Sequence, residues 1–132
     1  MRGHFDKTIA SQRWVTIMFA LYRPQAMTRS SDTALIVIDV QNDFCPGGAL
    51  AVTGGDEVVP VINAMLPAFE TVIFTQDWHP ADHVSFASNH EGAEPFGNID
   101  LTYGSQTLWP AHCVQGSSGA EFHTDLETSR AQ

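Results

Sequence analysis

Between residues 30 and 129 the chain has no lysine and no arginine, although 14 acidic residues fall in that stretch. A surface without cations cannot neutralise a phosphate backbone, so nucleic acid is excluded as a partner of this region. The deficit also leaves the carboxylates short of partners: a bound cation takes up some of that charge, or the chain is incomplete. Cysteine is scarce too. Cys45 and Cys113 are the only two; they form no disulfide framework and give no sign of an oxidising compartment, so each reads as a small packed residue and the expected location is cytoplasmic. No membrane span is expected, since the apolar run over residues 14–22 is nine residues long where a bilayer needs about 20.

What is present suits one soluble globular domain: 132 residues, 43% hydrophobic and 16% charged, with a net charge of −9. Five of the six basic residues (Arg2, Lys7, Arg13, Arg23, Arg29) lie in the first 29 positions. Residues 1–30 are therefore read as a basic amino-terminal extension outside the fold. The reading preferred for it is upstream sequence, with Met27 the natural first residue, over a signal segment or an anchor. Residues 31–132 hold the domain.

Within it, Ala34-Leu35-Ile36-Val37-Ile38 is a continuous apolar run, as expected of a strand covered on both faces. Gly54-Gly55 and the acidic pair Asp56-Glu57 introduce a helix with Val59, Ile62, Leu66 and Phe69 on its apolar side, and Pro67 should kink or shorten it. Thr71-Val72-Ile73-Phe74-Thr75-Gln76 reads as a second buried strand. Strand, helix, strand is a βαβ unit, so the strands should run parallel and ligands should bind beyond their carboxyl ends. Asp39 follows the first strand and Asp77 the second. Residues 81–108 read as a long polar loop that covers the site.

The chemistry concentrates in Thr75-Gln76-Asp77-Trp78-His79-Pro80 and Trp109-Pro110-Ala111-His112-Cys113. In extended chain, residues i and i+2 point the same way, so Asp77 and His79 can face one point. With His112 brought in by the fold, one carboxylate and two imidazoles would bind a divalent metal and leave coordination positions open, as a catalytic zinc site does. His83 could add a ligand or a supporting hydrogen bond; His90 reads as solvated. The plainer alternatives are a chance D-x-H triplet and, for Asp39, a loop carboxylate capping amides.

These motifs, together with Asp39-Val40-Gln41-Asn42-Asp43-Phe44-Cys45-Pro46-Gly47-Gly48-Ala49-Leu50, resemble the nicotinamidase/pyrazinamidase family of isochorismatase-like cysteine hydrolases. The resemblance covers the chain from about Ala34 onward, and the metal motif separates this branch from the isochorismatase and carbamoylsarcosine branches. It implies a three-layer α/β/α fold on a parallel sheet, incomplete at its carboxyl-terminal side. It also implies hydrolysis of nicotinamide (or pyrazinamide) to the acid and ammonia, by way of a thioester. Asp39 matches the aspartate that takes the proton from a nucleophilic cysteine. Asp77, His79 and His112 match the metal ligands, with zinc expected and iron or manganese as alternatives. Phe44 and Trp109 match the aromatic residues that sandwich the substrate ring.

The resemblance also implies a catalytic lysine and a nucleophilic cysteine beyond residue 132, and neither has a substitute here. Lys7 is the only lysine, and Cys45 and Cys113 match positions that are not catalytic. The expectation is thus an amino-terminal part of such an enzyme, of marginal stability, self-associating through an unpaired sheet edge. A non-catalytic metal- or nicotinamide-binding fragment stays open beside it. An iron oxygenase with a two-His, one-carboxylate triad ranks third, because there the His usually comes before the acid in the close pair.

Overall fold

The computed structural model describes residues 30–131. The expectations about the amino-terminal extension and Met27 lie outside the described residues. Two strands, β1 (Ser30–Ile38) and β2 (Phe69–Thr75), form a parallel pair in which Leu35 lies beside Val72, Val37 beside Phe74 and Ile38 beside Thr75. The connection between them runs through one helix, α1 (Val58–Met65), and this is the expected βαβ unit.

The helix begins as a 3-10 turn over Gly55–Glu57, which carries the acidic pair at its amino end. Pro60 falls in the first turn of α1, where backbone N–H groups have no intrahelical acceptor to lose. The α-helix stops at Met65, and Pro67 lies in the 3-10 turn Leu66–Ala68 that follows. Phe69, expected on the helix face, is instead the first residue of β2. Pro67 cannot continue the helical hydrogen bonding, so the chain turns into the strand two residues later. Arg130 closes this corner by donating to the carbonyls of Leu66 and Phe69, a favourable place for a cation at a helix carboxyl end.

The core lies between α1 and one face of the sheet. Val37 and Val72 from the strands meet Val59 and Leu66 from the helical segment, with Val40 and Leu126 at the ends. Leu35, Ile62, Phe69, Phe74 and Phe122 pack around them. Truncating a fully buried residue such as Leu66 to Ala would cost about 2–5 kcal/mol.

On the opposite sheet face the three layers are incomplete, as expected. Ile36, Ile38 and Ile73 alternate with the core residues and stand 55%, 67% and 40% exposed, so among the described residues only one helical layer covers the sheet. Among the described residues β1 pairs only with β2, and an apolar groove of about 500 Å³ runs between Leu35, Ile36 and Ile38 and the α1 residues Val58, Val61 and Ile62.

The segment expected as a long loop contains an antiparallel hairpin, β3 (Asn98–Leu101) with β4 (Gly104–Thr107). Its strands are four residues each: Asn98-Ile99-Asp100-Leu101 alternates exposed polar with half-buried apolar residues, but Gly104-Ser105-Gln106-Thr107 has no apolar side chain to match it. Among the described residues no helix is long and apolar enough to cross a membrane.

Candidate metal centre

The ends of both parallel strands feed one rim. Asp39 leaves β1 in a left-handed conformation, φ 52°, which Asp tolerates better than most residues. Its N–H donates to the Thr75 carbonyl, and its Oδ1 accepts the Thr75 hydroxyl at 2.7 Å. Asp77 follows β2 by two residues. His79 is then held beside the second motif by a parallel bridge to Val114: its N–H donates to the Cys113 carbonyl at 2.9 Å and its carbonyl accepts Gln115 N–H at 2.8 Å. This pairing brings His112 to the pair Asp77 and His79.

The three side chains form one cluster, with a ligand atom from each lying within 4.8 Å of the others. Asp77 Oδ1 is 3.0 Å from His79 Nδ1, and Asp77 Oδ2 is 3.2 Å from His112 Nε2. The tautomer of His112 follows from its other nitrogen. Nδ1 lies 2.7 Å from the Pro110 carbonyl, which can only accept, so Nδ1 carries a proton and Nε2 is the nitrogen left to offer a lone pair to a cation.

His79 Nδ1 is buried and, among the described residues, makes no hydrogen bond; its 3.0 Å approach to Asp77 is too poorly aligned to count as one. Buried polar atoms are rarely left so. The pKa of His79 is lowered, first by burial and then by the neighbouring His83 and His112, against the raising effect of Asp77. A neutral imidazole is the form that binds a metal. An orphaned nitrogen, a lone pair fixed by its second-shell bond and a carboxylate between them suit a divalent cation.

His83 lies outside this donor set. Its ring stands 4.4 Å from that of His79, and its Nδ1 meets Ser85 Oγ at 2.7 Å. Phe86, fully buried, packs its ring against His79, His83 and His112 and walls the cluster from behind. Phe44 contacts the His112 ring at 5.7 Å. Trp109 packs edge-to-face on Phe96 at 5.9 Å, and its backbone bridges to Phe86.

Two residues carry positions that their letters did not announce. Gln41, 0% exposed, grips the Asp77 backbone with its side-chain amide. Asp43 accepts Cys113 N–H at 2.7 Å and Ala49 N–H at 3.0 Å, tying the loop after β1 to the residue beside His112. The available signal was their place in the turn after Asp39, which a single sequence does not distinguish from ordinary loop polarity.

Neither cysteine has the setting of a reactive thiol. The buried Cys113 thiol is pushed up to about 12, by burial first and then by the carboxylates of Asp77, Asp43 and Asp39. Burial and Asp56 raise that of Cys45. Reactive thiols need the opposite shift.

Residues 33–132 match the family model for the isochorismatase domain. A nicotinamidase of Acinetobacter baylyi is 55% identical over 106 residues, covering 80% of this chain and 50% of that one. Among solved structures, an Acinetobacter baumanii nicotinamidase pyrazinamidase superposes with a TM-score of 0.72 at 52% identity, over 83% of this chain and 51% of that one. The pyrazinamidase of Pyrococcus horikoshii in complex with zinc matches at a TM-score of 0.53 and 38% identity, over 74% of this chain and 48% of that one. The chain spans about half the length of the curated relatives it matches.

Proposed function

This chain belongs to the isochorismatase family, and on that premise we propose that it carries the metal- and ring-binding part of a nicotinamidase-type amide hydrolase. The reaction is nicotinamide plus water to nicotinate plus ammonia, with pyrazinamide as a related substrate and the cytoplasm as the location. The observation that carries the proposal is the cluster of Asp77, His79 and His112, with the His112 Nε2 lone pair and the orphaned His79 Nδ1 turned toward the same carboxylate.

Those three residues would hold the metal, for which zinc is favoured by the donor set and by the zinc complex of the Pyrococcus horikoshii relative. When bound it supplies a Lewis-acid anchor for a ring nitrogen. Phe44 and Trp109 would line the faces of the ring, and an aromatic slot orients a flat substrate at little entropic cost. Asp39 would take a proton from the attacking thiol. With Oδ1 tied to Thr75, Oδ2 is the oxygen offered for it.

A second reading has its own support. Both described cysteines are buried with raised pKa values, so the described residues hold the substrate end of a site without a thiol poised for attack. The chain would then bind metal and nicotinamide without turnover. An ammonia-release assay with nicotinamide on the zinc-loaded chain separates the two. Ammonia in stoichiometric excess over protein supports hydrolysis; nicotinamide binding without ammonia supports the binding module; neither binding nor ammonia refutes both.

A further inference from the structure

Among the described residues Gln41 is the one glutamine that is fully buried, at 0% exposure, and its amide is fully engaged. Nε2 donates to the Asp77 carbonyl at 2.8 Å and to the Ala120 carbonyl at 2.7 Å, while Oε1 accepts Asp77 N–H at 2.7 Å. The amide therefore grips both backbone groups of one residue, as a neighbouring strand would. Asp77 lies beyond the end of β2, where sheet pairing no longer holds the chain.

We propose that Gln41 is a positioning residue for Asp77, fixing the peptide planes on either side of it so that its carboxylate meets both imidazoles. The inference rests on reading Asp77, His79 and His112 as a metal site. The carboxylate must serve His79 at 3.0 Å and His112 at 3.2 Å at once, and a modest rotation of its backbone would lose one of them. Gln41 can resist that rotation because its own backbone is anchored. Its N–H donates to the Asp39 carbonyl, its carbonyl accepts Phe44 N–H, and it bridges Phe122 across the chain. A fully buried amide is costly unless its bonds are made, and here two of the three go to the residue that carries the ligand.

Asn63 provides the comparison for a purely structural clamp. Its side chain also grips backbone groups, donating to the Asp125 carbonyl at 2.8 Å and accepting Glu127 N–H at 2.9 Å, but it touches no metal ligand. The experiment compares the whole chain with Gln41→Met, Gln41→Glu and Asn63→Ala. Zinc affinity is read by competition with a chelating dye, geometry by cobalt(II) absorption, and fold stability by urea titration.

Gln41→Met should weaken zinc binding about 10- to 100-fold, the usual effect of losing a support to a metal ligand, and should change the cobalt spectrum. Gln41→Glu keeps the acceptor for Asp77 N–H but turns an acceptor toward the Asp77 and Ala120 carbonyls, so it should also weaken zinc binding and change the cobalt spectrum. Asn63→Ala should lower the urea midpoint and leave zinc affinity and the cobalt spectrum unchanged. Folded Gln41→Met protein with zinc affinity within about twofold of the parent would overturn the inference, as would an equal loss in Asn63→Ala. If Gln41→Met does not fold, Gln41→Glu decides on the same readouts: an unchanged affinity and spectrum overturns the inference. A parent chain that binds neither zinc nor cobalt refutes the metal reading itself, a result distinct from a parent that binds and variants that bind equally well.

Discussion

Gly119→Ala is a small substitution with a large expected effect. A Cβ built there would stand 2.1 Å from Asp43 Oδ2 and 2.4 Å from Oδ1, where ordinary contact begins near 3.4 Å. The Asp43 carboxylate must retreat by about 1 Å, and it is the acceptor for both Cys113 N–H and Ala49 N–H. Hydrogen bonds to a carboxylate contribute about 1.5–3 kcal/mol each, so losing both costs about 3–6 kcal/mol and partial re-bonding brings the expectation to about 2–4 kcal/mol. Urea titration followed by tryptophan fluorescence measures it. The double-mutant cycle with Asp43→Ala tests the cause: with the carboxylate gone, Gly119→Ala should cost about 0.5 kcal/mol or less. A loss below about 0.5 kcal/mol in the single variant, or the same loss in both backgrounds, would refute the argument.

Three further outcomes are expected. The bare sheet face should make the chain self-associate; Ile36→Lys with Ile38→Lys should shift it toward monomer in sedimentation velocity, and an unchanged distribution would rule out this face as the contact. Cys113, fully buried and with a thiol held protonated up to about 12, should resist iodoacetamide at pH 8 in the native chain and react after denaturation. Fast native alkylation at Cys113 would contradict its described burial. Leu66→Ala should lower stability by about 2–5 kcal/mol without altering zinc stoichiometry; a change in stoichiometry would mean that the core and the site are not separable.

The βαβ unit was legible because its residues bury on a regular pattern. Leu35 and Val37 face α1 while Ile36 and Ile38 face away, and a strand that is apolar on both sides reads as one to be covered on both. The meeting of Asp77 and His79 was legible because their spacing is a consequence of extended backbone. The β3–β4 hairpin was not. Asn98-Ile99-Asp100-Leu101 alternates over only four residues and Gly104-Ser105-Gln106-Thr107 has no apolar residue, too little to separate from polar loop. Phe69 was placed on the wrong element because its spacing from Leu66 fits a helix, whereas Pro67 ends the helical bonding first. Gln41 could not be read from its letter: a glutamine in a turn is usually solvated, and only the packed structure shows where its amide bonds go.

The account turns on whether Asp77, His79 and His112 bind one divalent ion together. X-ray absorption at the zinc edge, on the chain loaded with zinc and freed of excess, tests it directly. The account predicts one zinc per chain with two imidazole nitrogens at about 2.0–2.1 Å and a carboxylate oxygen at about 2.0–2.2 Å, and loss of the bound ion in Asp77→Asn. Zinc that binds without imidazole scattering, or that remains at full stoichiometry in Asp77→Asn, would contradict it.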